Sequence, residues 1–199
     1  MIKAVFLDKD GTLIDDIPYN VNPDLITLKE GAAEGLQKLK QAGYKFIVVS
    51  NQSGVARGYF DEGELKKVEY RLKELLGQYQ LDLEAFYYCP HHPEGKIEVY
   101  SVECNCRKPA PGMLQKAAVE HQIDLQSSWM LGDILNDVEA GNRAGCHSIL
   151  IDNGGETEWI KDTPYREPEA TFSNISFAAD YILEHSVEFA VSSKDLAEN

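Results

Sequence analysis

Residues Ile2–Leu13 read I-K-A-V-F-L-D-K-D-G-T-L. Ile2–Leu7 is an apolar run with β-branched members that stops at Asp8, which predicts a strand buried on both faces, as in a parallel sheet. Asp8 and Asp10 follow it directly. Two carboxylates two residues apart at a strand end can point to the same side. Gly11 lets the chain turn sharply and Thr12 adds a hydroxyl. An isolated D-x-D is most often an acidic loop. The same pair behind a buried strand is a candidate chemical centre.

Strands and helices alternate outward from this segment. Gly31–Gln41 carries Ala32, Leu36 and Leu39 at helical spacing, and Gly43 provides a stop. Lys45–Ser50 reads as a second buried strand. Asp61–Tyr79 places Leu65, Val68, Leu72, Leu75 and Leu76 on one stripe, with Asp61 and Glu64 resembling a capping box. Ala85–Tyr88 is a third strand and Gly112–His121 a helix. Trp129–Leu131 and Ser148–Ile151 are strands around a helix at Asn136–Ala144. Ser176–Glu184 is a last helix, residues 1–186 read as one domain, and 187–199 read as a frayed tail. The alternation predicts an α/β, Rossmann-like parallel sheet with helices on both faces. Ligands bind such sheets at the carboxyl ends of the strands. Asp8 and Asp10, Ser50–Gln52, Cys89, and Asp133 with Asp137 all fall on that edge.

Four segments in order carry a family resemblance: D-K-D-G-T-L at Asp8–Leu13, V-V-S-N-Q-S-G ending at Gly54, C-R-K-P-A-P-G-M around Lys108, and G-D-I-L-N-D from Gly132 to Asp137. Together they resemble the motifs of the haloacid dehalogenase (HAD) superfamily of phosphatases over about Ile2–Leu150. The resemblance implies Asp8 as a nucleophile that becomes an aspartyl phosphate, and Asp10 as general acid and base. It implies Ser50 as a phosphoryl hydrogen-bond donor, and Lys108 as the cation facing the nucleophile and the transferring phosphoryl. It also implies Mg²⁺ held by Asp8, the carbonyl of Asp10 and Asp133, with Asp137 orienting Lys108 or a metal-bound water. The chemistry is coherent, because a carboxylate attacking a phosphate dianion needs charge neutralisation.

Cys89-Pro-His91-His92 and Cys104-Asn-Cys106 lie close together in a Pro- and Gly-rich loop. Thiolate and imidazole ligands in a set of four suit tetrahedral Zn²⁺. Either histidine can serve on spacing alone. The loop resembles that of the D-glycero-D-manno-heptose-1,7-bisphosphate phosphatase and histidinol-phosphatase subfamily, which implies Cys89, His91, Cys104 and Cys106. Four protein ligands leave no open position, so the expected role is structural, pinning the loop 89–106. Cys146 lies outside the cluster and reads as a core residue.

The chain has 199 residues and a formal net charge of -14. A surface so acidic repels nucleic acid and anionic lipid, and any phosphate site in it must be locally positive. This disfavours a polynucleotide 3′-phosphatase, despite shared D-x-D-G-T and N-Q-x-G features. No apolar run approaches the roughly 20 residues needed to span a bilayer, and Met1–Leu7 does not resemble a signal peptide. The expectation is a cytoplasmic protein acting on a small phosphorylated metabolite. The sequence does not specify an oligomeric state, and a monomer is compatible with it.

Little chain is left over for a large cap domain, so an open site shaped by loops is expected. Candidate substrate contacts are Asp16, Tyr19, Asn51, Gln52, Ser53, Arg57 and Arg107; the two arginines suit a second phosphate. Heptose bisphosphate is the substrate the resemblance favours, with histidinol phosphate as the alternative. A zinc-stabilised binding module without catalysis is the non-enzyme reading, but every catalytic residue of the motifs is retained. One position departs from the pattern: Ile134 stands where heptose enzymes commonly carry Lys, which removes a cationic contact.

Overall fold

Four consecutive buried residues, Ala4–Leu7, form β1, and the rest of the sheet is laid out around them. The computed structural model describes residues 2–195, with side chains through residue 186. Lys45–Asn51 (β2) pairs in parallel with one side of β1, and Trp129–Gly132 (β4) with the other. Leu83–Cys89 (β3) extends the sheet beyond β2, while His147–Ile151 (β5) and Ala170–Phe172 (β6) extend it beyond β4. The order is β3-β2-β1-β4-β5-β6, and every pairing is parallel.

Alternation along β1 explains the two layers. Val5 and Leu7 join Leu36 and Leu39 of α1 (Ala32–Gln41), Val68 and Leu72 of α2 (Leu65–Gly77), and Ala178 and Ile182 of a later helix in one core. Ala4 and Phe6 point the opposite way, toward Met113, Leu114 and Ala117 of α3 (Gly112–His121) and Ala140 of α4 (Leu135–Ala144). Burial on both faces is why these strands read as continuous apolar runs rather than alternating ones. Strand order reverses between β1 and β4, and the open crevice of such a sheet lies at that reversal.

Three expectations need correction. The helix expected from Asp61 begins later: Glu62–Glu64 is a 3₁₀ turn, α2 starts at Leu65, and the Asp61 side chain makes no capping bond. The carboxylate of Glu64 pairs instead with Lys67, at 2.8 Å. β6 is an additional strand whose three residues, Ala170–Phe172, are too few to show a periodicity. The last helix, α5 (Ile175–Asp195), continues past Glu184 through residues expected to fray; it contains no Pro or Gly to stop it. The remainder of the expected tail, 196–199, lies outside the described residues. Among the described residues, no helix is long and apolar enough to cross a membrane.

Candidate active site

Asp8 leaves the end of β1 with its N–H donating to the carbonyl of Leu131 at 2.9 Å, so the strand ladder itself fixes its position. Lys108 reaches it from the loop before α3. The Lys108 ammonium lies 2.5 Å from Asp8 Oδ1 and 2.6 Å from Asp137 Oδ1, and it donates to the carbonyl of Val49 at 2.8 Å. This lysine is only 2% exposed. Asn51 fixes its backbone from both sides: Asn51 Nδ2 donates to the Lys108 carbonyl, and the Lys108 N–H donates to Asn51 Oδ1, each at 3.0 Å.

Asp133 follows β4 and sits in a cradle of backbone. The Thr12 hydroxyl donates to its Oδ1 at 3.4 Å. Gly11 and Gly155 approach so closely that a Cβ on either would overlap Oδ2. Gly11 also takes φ +83, a conformation that glycine adopts without strain. Its carbonyl accepts from the Asn153 side chain.

Asp8, Asp133 and Asp137 thus converge, each offering a carboxylate oxygen within 4.8 Å of the others. Three buried carboxylates face one ammonium. Burial pushes Asp8 well above the usual carboxylate range; Lys108 pulls it down, and Asp137, Asp133 and Asp10 push it further up. Burial and then Asp137 push Asp133 up to about 7. For Lys108 burial works against the charge, but Asp137 and Asp8 outweigh it and raise the pKa. An excess of negative charge on hard oxygen donors at a strand end fits a divalent cation of the Mg²⁺ type.

Asp10 is held apart from that group. Its Oδ1 pairs with Lys9 at 2.6 Å, and its Oδ2 accepts from Gln52 Nε2 at 3.2 Å. The same Gln52 nitrogen donates to the hydroxyl of Ser50 at 2.8 Å. Asp10, Gln52 and Ser50 therefore form one chain, adjacent to Asp8 in sequence and sheet position.

The other candidate contacts divide into two regions. Arg57 Nη2 lies 3.1 Å from His92 Nε2, and Arg107 Nη1 donates to the His91 carbonyl at 3.4 Å. Burial and then the charges of Arg107 and Arg57 lower the pKa of His92, so a neutral imidazole sits beside two guanidinium groups. Ser53 accepts from the Arg57 N–H through its carbonyl. Asp16 is exposed in the loop after β1, and Tyr19 packs edge-on against Tyr59 with ring centroids 4.6 Å apart.

Cys89, His91, Cys104 and Cys106 form a second cluster. Their sulfurs lie 3.1–3.5 Å apart, and His91 Nδ1 lies 3.3 Å from Cys106 Sγ and 3.6 Å from Cys89 Sγ. No disulfide joins them. Four soft ligands at these separations fit a tetrahedral Zn²⁺. His91 belongs to this cluster; His92, bonded to Arg57, does not.

A HAD-hydrolase-like family model matches residues 105–178. A D-glycero-beta-D-manno-heptose-1,7-bisphosphate 7-phosphatase from Pasteurella multocida (strain Pm70) is 44% identical over 155 residues, covering 77% of this chain and 84% of that protein. The protein of the same name from Escherichia coli (strain K12) is 40% identical over 154 residues, covering 77% and 81%. The chain belongs to this heptose-bisphosphate phosphatase family. The fold agrees: a crystal structure of D,D-heptose 1,7-bisphosphate phosphatase from B. bronchiseptica, complexed with magnesium and phosphate, superposes with a TM-score of 0.73. It is 28% identical, covering 92% of this chain and 99% of that one.

In this member of the family, sequence reasoning missed several contributors. Lys9 lies inside the first motif, where the motif assigns it no role. Asn153 and Gly155 come from the β5–β6 loop, which carries no chemical pattern. Glu156 in the same loop accepts from the Leu135 N–H at 2.7 Å, capping α4 beneath Asp133 and Asp137.

The raised carboxylates make the metal-free site proton-binding. A carboxylate with a folded-state pKa above its unfolded value contributes stability that is full below the unfolded value and is lost as pH rises; for Asp133 the loss runs up through about 7. Mg²⁺ replaces the missing protons, so it should raise Tm more at about pH 8 than at about pH 5. Equal shifts at both would contradict the cluster as its site. Cys104→Ser should lower zinc content and Tm together by metal analysis and calorimetry; a zinc-free variant with wild-type Tm would contradict a structural role.

Proposed function

We propose that this phosphatase hydrolyses D-glycero-D-manno-heptose 1,7-bisphosphate at the 7-phosphate through an aspartyl-phosphate at Asp8. The observation that carries this reading is the buried Lys108 ammonium bridging Asp8 and Asp137 at the end of β1. An ammonium so placed holds the nucleophile and faces incoming phosphoryl oxygens at once. The names of the relatives support the substrate.

In the first half-reaction an Asp8 oxygen attacks phosphorus and the bond to the sugar oxygen breaks. Asp10 gives that oxygen its proton. In the second, water attacks phosphorus, Asp10 takes the water proton, and the Asp8–phosphorus bond breaks to release inorganic phosphate. One residue serving as acid and then base follows from microscopic reversibility. Lys108 offsets repulsion between carboxylate and phosphate, and Ser50 offers its hydroxyl to the phosphoryl group. A magnesium ion held by Asp8, the Asp10 carbonyl and Asp133, with Asp137 behind, would supply the remaining charge neutralisation.

The side chains of Asn51 and Gln52 are engaged by Lys108 and Asp10, so their backbone amides, with Ser53, are the proposed substrate contacts there. Arg57 and Arg107 are proposed to meet the phosphate that is not cleaved, supplying the positive charge that Ile134 does not. Asp16 and Tyr19 are proposed to flank the sugar. Zinc at Cys89, His91, Cys104 and Cys106 would tie the loop that carries Arg107 and Lys108 to β3. The four unpaired cysteines fit a cytoplasmic location.

The test compares kcat/KM, with Mg²⁺ present, for heptose 1,7-bisphosphate, histidinol phosphate and fructose 1,6-bisphosphate. The heptose should lead by about a hundredfold. Preference for histidinol phosphate would overturn the substrate and leave the reaction class standing. Asp8→Asn should fall below about a thousandth of wild-type turnover while keeping its fold; near-normal activity would overturn the covalent mechanism.

A further inference from the structure

Lys9 is 1% exposed and ranks among the largest fully buried side chains of the molecule. Burying an ammonium is costly unless it is paired. Its partner is Asp10 Oδ1, at 2.6 Å, and the mechanism above gives Lys9 no task. A lysine between two loop carboxylates could instead have extended into solvent, as most lysines do. The Asp10 side chain, in contrast, is 31% exposed, so the pair has a buried cationic end and an acidic end open to the crevice.

The second oxygen of Asp10 is also held. Gln52, itself buried, donates one nitrogen to Asp10 Oδ2 and to Ser50 Oγ. The carboxyl plane of Asp10 is thereby fixed from both sides, with Lys9 behind it and the Gln52–Ser50 chain beside it. A general acid must sit within hydrogen-bond reach of the leaving oxygen, and an error of one ångström costs rate heavily.

We propose that Lys9 is a positioning residue for the acid–base step. Its ammonium holds Asp10 Oδ1 and faces the charge that Asp10 acquires when its proton passes to the sugar oxygen as the phosphorus–oxygen bond breaks. When water then attacks the aspartyl phosphate, the same contact holds the Asp10 carboxylate that takes the water proton. Lys9 itself neither gains nor loses a proton and touches no substrate. The inference rests on the proposed roles of Asp8 and Asp10.

The experiment exploits leaving groups. A sugar alkoxide needs a proton to depart, whereas the nitrophenolate of p-nitrophenyl phosphate departs without one. Lys9→Met keeps length and burial but removes the charge. Its kcat/KM should fall about a hundredfold on heptose 1,7-bisphosphate and at least about tenfold less on p-nitrophenyl phosphate. In an Asp10→Asn background the same substitution should bring no further loss on the heptose, because its effect passes through Asp10. Equal losses on both substrates, or losses that add in the double variant, would make Lys9 merely structural and overturn the proposal; so would unchanged heptose turnover. If Lys9→Met does not fold, Lys9→Gln removes the charge with a polar side chain and answers the same question: a loss on the heptose at least about tenfold greater than on p-nitrophenyl phosphate supports the proposal, and equal losses on both substrates overturn it. Failure of the underlying reading is distinct, since wild type would then hydrolyse neither substrate or Asp8→Asn would remain active.

Discussion

A single buried ammonium organises this active site. Lys108 bridges Asp8 and Asp137 from a position almost without solvent. Removing one partner of such an arrangement leaves a buried charge uncompensated, at a penalty of about 3–5 kcal/mol. The fold must therefore deliver all three groups together. Asp8 arrives on β1 and Asp137 on the first turn of α4, the elements flanking the point where strand order reverses. Lys108 arrives on a loop with no regular structure, and that loop needs outside support. Asn51 supplies part of it by bonding both ends of the Lys108 backbone unit. The Cys89, His91, Cys104 and Cys106 cluster ends at Cys106, two residues upstream, where the proposed zinc would supply the rest.

Charge is divided unevenly across the crevice. The carboxylates of Asp8, Asp133 and Asp137 exceed the one lysine facing them, which is the condition for binding a divalent cation. Arg57 and Arg107 form a separate cationic pair around His92, beside the Cys89, His91, Cys104 and Cys106 cluster. In a protein of net charge -14, these two local features together make room for an anionic substrate that the overall surface would repel.

The sheet was largely legible in the sequence because β1, β2, β4 and β5 are buried on both faces, so each appears as an apolar run. β6 was not legible, since three partly exposed residues gain their strand geometry from pairing with β5 alone. The N-terminus of α2 misled because Asp61 and Glu64 have capping-box spacing, yet a 3₁₀ turn satisfies the backbone first. At the site, the motif carboxylates and Lys108 were readable from spacing and resemblance. The choice of His91 over His92 rested on resemblance, because spacing alone allows either, and the coordinates agree with it: His91 Nδ1 lies 3.3 Å from Cys106 Sγ while His92 faces Arg57. Lys9 was hidden for a different reason: sequence shows a charge among charges, while the role proposed for it depends on its burial. Asn153, Gly155 and Glu156 act through a backbone approach and a helix cap that no pattern encodes.

The central claim is that Asp8 forms a covalent bond to phosphorus. It is tested most directly by rapid acid quenching during turnover and weighing the peptide that contains Asp8. That peptide should be captured carrying one phosphoryl group, and should return to its ordinary mass once substrate is exhausted, because water attacks phosphorus and leaves both carboxylate oxygens on Asp8. Phosphate release with no phosphorylated Asp8 peptide at any quench time would contradict the account.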